Sequence, residues 1–106
     1  MHSWEVLCVG YDETSEYDDC RGINKIGLNV AENLREKKVD QVAYQLRNDQ
    51  TNFHIVVDGR EVPLNGIIDG MERYVRTFDE DRTDDPLLDL PTIEEYKQSE
   101  RRSQIR

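Results

Sequence analysis

The sequence predicts a small α+β domain. It has a mainly antiparallel sheet of about four or five strands, with a central β-meander packed on a short amphipathic helix and a further helix at the C-terminus. Three observations carry this. Two aspartyl-glycine steps, Asp58-Gly59 and Asp69-Gly70, separate runs of alternating apolar and polar residues. Val39, Val42, Ala43 and Leu46 recur at helical spacing. The chain has 106 residues, enough for one domain with one modest core. Residues 1–91 are read as that domain, and 92–106 as a helical extension whose end frays.

Trp4 to Tyr11 forms the first strand. Trp4, Val6 and Cys8 alternate with Glu5, Leu7 and Val9, and both sets are largely apolar, so this strand is expected to be covered on both faces. Asp12 to Asp19 is a polar loop. Ile23 to Leu28 is a second strand, punctuated by Gly22 and Gly27, and pairs with the first as a long-looped hairpin. Asn29 to Lys38 is ambiguous: Asn29 with Glu32 has the form of a capping box, and Val30 and Leu34 lie one helical turn apart. A helix over 41–48 follows, with Asp40 as its cap and Val39 stapled to Tyr44. Val30 and Val39 would point to opposite sides of one straight helix, so the element breaks near Glu36–Val39.

The Asp58-Gly59 turn places Ile55 opposite Val62, Phe53 opposite Leu64 and Val57 opposite Arg60. Asp69-Gly70 places Ile68 opposite Met71 and Leu64 opposite Val75. One apolar face then holds Phe53, Ile55, Val57, Val62, Leu64, Ile68, Met71 and Val75, for the 41–48 helix to cover. The other face presents His54, Val56, Pro63, Ile67, Tyr74 and Arg76. Phe78 to Pro86 is an acidic loop, after which Leu87, Leu88 and Leu90 return to the body. Thr92 and Glu95 form a capping box for a last helix ending near Arg101–Arg102.

The run Tyr74-Val75-Arg76-Thr77 through Leu87-Leu88-Asp89-Leu90-Pro91 resembles the end of the domain-of-unknown-function family 3892, a group of small bacterial and archaeal proteins. Trp4–Val9, Ile23–Gly27 and the 41–48 helix with Phe53–Val57 are similar to that family's opening strand, Ile-x-x-Ile-Gly-like strand and helix before a Phe-x-Val hairpin. The resemblance spans most of residues 4–91. Pro86 replaces the Asn that the family pattern favours, and the acidic stretch before the leucines is longer. The family has no assigned activity, so the resemblance implies no catalytic residues.

The formal charge is −9, from 14 basic and 23 acidic residues. That surface repels nucleic-acid phosphates and anionic lipid, so neither direct nucleic-acid binding nor membrane binding is expected. Two cysteines make no disulfide framework. Cys8 reads as a core residue, and Cys20, between Asp19 and Arg21, as lying near the surface. No signal peptide or apolar span is evident, and a cytoplasmic setting follows.

Four constellations are candidates for function. Asp79, Asp81, Asp84 and Asp85 offer oxygens to a calcium or magnesium ion, but Thr83 and the missing Gly and Glu break the EF-hand pattern; a solvated loop is the simpler reading. Arg76 is expected to tie that loop down through Asp79, Asp85 or Asp89, with an anion anchor as the sharper alternative. His54 pairs with Glu61 across the hairpin, and neither His54 nor His2 has partners for zinc. Tyr74, Arg76, His54 and Ile67 on the outer sheet face are candidate binding residues, unless another element covers that face. The expected function is a non-catalytic accessory or protein-binding module, monomeric or homodimeric, with a protein partner and no cofactor. A metal-dependent site or enzyme on the acidic loop, and an acidic mimic of nucleic acid, are the alternatives.

Overall fold

The computed structural model describes residues 3–48 and 51–104, with side chains described to residue 99. His2 and the last two residues of the expected frayed end lie outside the described residues. The fold is α+β: a five-stranded, mostly antiparallel sheet, a separate two-stranded sheet and two helices.

The first strand, β1 (Ser3–Tyr11), is central and pairs antiparallel with β2 (Ile23–Val30), as the sequence predicts. Its alternation is not continuous. The register shifts between Val6, opposite Leu28, and Cys8, opposite Gly27. The extra residue lets both Val6 and Val9 join the main core. Cys8 instead faces Gly27 and Leu34, where a Cβ on Gly27 would lie 2.7 Å from Leu34 Cδ1.

The ambiguous segment is a strand, β3 (Asn33–Lys38), antiparallel to β2. Ala31 and Glu32 form the turn, at φ 51° and 67°. Asn29 and Glu32 therefore cap no helix: Asn29 pairs with Leu34 in the ladder. Helix α1 (Val39–Asn48) starts two residues earlier than expected. Asp40 lies in its first turn and accepts from the Gln41 N–H at 2.9 Å. Val39 sinks into the core, and Tyr44 stays half exposed.

After α1 the chain returns on the far side of β1. The next strand, β4 (Asn52–Val57), pairs with β1 in parallel, a crossover with no local sequence signal. The Asp58-Gly59 turn has positive φ at both positions and delivers β5 (Arg60–Pro63) in the expected register, with Ile55 opposite Val62 and Val57 opposite Arg60. Leu64 N–H donates to the Phe53 carbonyl at 2.9 Å.

The antiparallel succession then continues in a new sheet. Strands β6 (Asn65–Asp69) and β7 (Glu72–Arg76) pair only with each other. Their register differs from the sequence expectation: Gly66 lies opposite Val75, Ile68 opposite Arg73 and Asp69 opposite Glu72. The turn is Gly70-Met71, with positive φ at Gly70 and not at Asp69. A glycine at the first central position makes a II′ reversal, one residue later than an Asp-Gly I′ turn. Met71 is consequently fully exposed, and Ile68 is at the surface.

Helix α1 packs against both sheets. Gly66 is what lets it approach: an added Cβ would lie 2.7 Å from the Ala43 carbonyl oxygen and 2.9 Å from Leu46 Cβ. Phe53, Ile55, Ile26, Val42 and Val75 fill the shared core, and Leu87 closes it from a 3-10 turn at Pro86–Asp89. Helix α2 (Ile93–Gln104) lies on β1, with Ile93 beside Gly10. Its capping box is present: Glu95 N–H donates to Thr92 Oγ1 at 3.1 Å, and Thr92 N–H to Glu95 Oε1 at 3.2 Å. No described helix is long and apolar enough to cross a membrane.

Candidate functional site

Tyr74 and Arg76 alternate along β7 and so share a face with Ile67, as predicted. That face is covered. Tyr74 is buried, and its hydroxyl donates to Asp81 Oδ1 at 2.8 Å. Arg76 reaches the same oxygen at 2.7 Å and also donates to the Phe78 carbonyl at 3.0 Å and the Asp79 carbonyl at 2.7 Å. Arg76 thus ties down the acidic loop, with Asp81 as its carboxylate partner in place of Asp79, Asp85 or Asp89. Burial, and then the Asp81 hydrogen bond, push the Tyr74 phenol up to about 12.

The cover comes from the loop between β1 and β2. Arg21 grips Asp19 bidentately, at 3.0 and 2.7 Å, and lies 3.8 Å from Asp81. The Tyr17 ring lies under the Arg21 guanidinium at 4.0 Å, and its hydroxyl donates to Glu72 at 3.1 Å. Cys20, expected near the surface, is buried. The short 3-10 turn at Cys20–Gly22 turns its side chain inward while Asp19 accepts from the Arg21 N–H. Burial, then the charges of Asp85, Asp19 and Asp81, push the Cys20 thiol far up.

The four loop carboxylates have separate tasks. Asp85 is fully buried and accepts from Thr77 N–H at 2.9 Å, Thr77 Oγ1 at 2.7 Å and Leu87 N–H at 3.0 Å. Asp81 holds Arg76 and Tyr74. Asp84 pairs with Arg82 at 2.7 Å, and Asp79 lends its backbone carbonyl to Arg76. Among the described residues, no group of three or more His, Cys, Asp or Glu side chains is gathered as a metal site would need.

His54 lies in the other sheet. Its Nδ1 is 2.7 Å from Ser3 Oγ, and its Nε2 is 3.6 Å from Glu61 Oε1. The serine, histidine and glutamate stand in the order of a hydrolytic relay, but Glu61 is 72% exposed and the trio lies on a flank of the sheet. Val56 is exposed beside it. The six residues assigned to one outer face are therefore split between two sheets.

The surface around Arg73 holds what the sequence reading missed. Arg73 lines four neighbouring depressions. Tyr44, Gln41 and Lys37 share one of them, Met71 and Gly70 another. Ile68 is its cross-strand partner. Met71 is 100%, Tyr44 51% and Ile68 38% exposed. The turn lies one residue later than Asp69-Gly70 implies, which shifts the pairing by two residues and puts Met71 at the tip. A separate cleft of about 500 Å³ lies between the end of α1, β5 and β6, and has Ile67, Arg76 and Phe78 in its lining.

No family model, curated protein or solved structure matches this chain.

Proposed function

We propose that the protein is a non-catalytic accessory module of the cytoplasm that binds another protein through the surface around Arg73. One observation carries this reading: fully exposed Met71 and half-exposed Tyr44 flank an arginine whose side chain makes no ion pair or hydrogen bond among the described residues. Methionine, tyrosine and arginine are enriched at protein interfaces, and a fully exposed methionine at a hairpin tip suits an anchor that fills a partner's pocket. The neighbouring chemistry favours binding over catalysis. Burial and three carboxylates hold the Cys20 thiol protonated, the opposite of an activated nucleophile. The partner is a different protein or a second copy of this chain.

Affinity capture from host lysate, compared with sedimentation of the pure protein, tests the reading. A partner, or concentration-dependent dimerisation, is expected with the native chain and is lost in Tyr44→Ala combined with Met71→Glu. Both substitutions fall at exposed positions, so the variant is expected to keep the native circular dichroism and Tm. Failure of the native chain to associate with anything, or association that the double variant retains, would overturn it.

A further inference from the structure

On a chain with nine surplus negative charges, four cations border one depression of about 310 Å³. Arg21 comes from the β1–β2 loop, Lys25 from β2, Lys38 from β3 and Arg73 from β7. Val39 and Asp40, in the first turn of α1, complete the wall, so the positive end of the helix adds to the field. Asp12 and Asp40 are the carboxylates on its wall, and Arg21 is already held by Asp19 at 2.7 Å and lies 3.8 Å from Asp81. The Asp12 carboxylate accepts from Thr14 N–H at 3.0 Å and Thr14 Oγ1 at 2.7 Å, and that of Asp40 accepts from Gln41 N–H.

Two features make this more than a chance grouping. Lys25 and Lys38 are direct cross-strand partners, and like charges in that relation destabilise a sheet. Lys38 and Arg73 have no carboxylate partner among the described residues, in a protein that has acids to spare. The cations come from four separate segments, so folding assembles the charge; no run of basic residues in the sequence supplies it. An anion placed between them removes the repulsion and gives Arg73 the bidentate acceptor its guanidinium geometry suits.

We propose that the depression bounded by Arg21, Lys25, Lys38 and Arg73 binds a phosphate group carried by a small molecule. The volume admits one or two phosphate groups with a small substituent. A doubly charged oxyanion matches two otherwise unpaired cations, where chloride matches one. The site needs no protein partner, so it stands or falls separately from the protein-binding reading.

Two-dimensional amide NMR of the full chain, titrated with inorganic phosphate and with pyrophosphate against sodium chloride at equal ionic strength, tests this. Saturable shifts are expected at Asn24, Lys25, Lys38 to Asp40 and Arg73, with dissociation constants at or below about 1 mM and pyrophosphate the tighter. Arg73→Gln weakens binding about tenfold or more, and Lys38→Gln with Arg73→Gln abolishes it, while the remaining resonances stay in place. Shifts that follow ionic strength alone, no shifts at millimolar pyrophosphate, or saturation retained by the double variant would overturn the proposal.

Discussion

Asp85 shows how far a single side chain's setting can depart from its local sequence. It stands in a run of acids that reads as solvated, yet it is fully buried and joins β7 to the closing 3-10 turn through Thr77 and Leu87. Hydrogen bonds to a charged acceptor contribute about 1.5–3 kcal/mol each, and stranding the buried donors adds to the loss. Asp85→Ala should therefore lower stability by about 3 kcal/mol or more in urea unfolding, with Asp85→Asn intermediate. A loss below about 1 kcal/mol would show that water replaces the carboxylate without strain. Cys20 is the companion case. Charged neighbours point to the surface, but Arg21 spends its charge on Asp19, and the turn buries the thiol between them. Both cysteines should resist a thiol reagent at pH 8 in the native protein and react together on denaturation. Rapid native labelling of one thiol would contradict the burial of Cys20.

At the scale of elements, legibility followed the turn chemistry. The β4–β5 hairpin was readable to the residue because Asp58-Gly59 occupies both positive-φ positions. The β2–β3 hairpin was not, because Ala31 and Glu32 occupy the same kind of turn without the residues that favour it. Their backbone conformation costs roughly 1–2 kcal/mol per residue. Replacing Ala31→Asn with Glu32→Gly should thus stabilise the protein by about 1 kcal/mol, raising Tm by about 4–8 °C. An unchanged or lower Tm would mean that the turn is not limiting. For β6–β7 the Asp-Gly rule points to Asp69-Gly70 and the chain reverses at Gly70-Met71, since both are acceptable reversals. What decides is packing: only the observed register places Gly66 opposite Val75 and under Ala43 and Leu46. Gly66→Ala should consequently cost about 1–3 kcal/mol by forcing α1 away, as calorimetry would report. Tolerance of alanine there would mean that α1 can shift at little cost.

For the whole molecule, composition and pattern point to the class and to the coverage of β1 on both faces, but to four or five strands where the described residues form seven. The parallel β1–β4 pairing and the division into two sheets were not legible, because they depend on where α1 carries the chain and not on any residue beside the pairing. The Arg73 surface was lost by the same route, since it draws on α1, β2, β3 and β7 together. The network between the two loops is likewise global, and it sets how stability depends on pH. Asp19 has a lowered pKa, chiefly through its hydrogen bonds with Arg21 and against the effect of burial. Its charged form is favoured by folding, so that stability is present above the ordinary carboxylate pKa near 4 and is lost as pH falls through the lower folded value. Tyr74 behaves in the opposite sense. Its phenol is raised from 10.0 to about 12, so the unfolded chain releases this proton first, and stability falls as pH climbs from about 10 to about 12. Urea midpoints measured from pH 3 to 11 should trace a plateau with both shoulders. Asp19→Asn should make the acid shoulder shallower and leave the alkaline one, since other lowered carboxylates share the acid side. Tyr74→Phe should make the alkaline shoulder shallower, with the raised Cys20 thiol keeping a share of it, and leave the acid one, because Arg76 still holds Asp81 when the phenol is gone. If either variant lowers the plateau and keeps both slopes, the two loops are held by contacts that do not titrate, and the proton linkage assigned to this network is wrong.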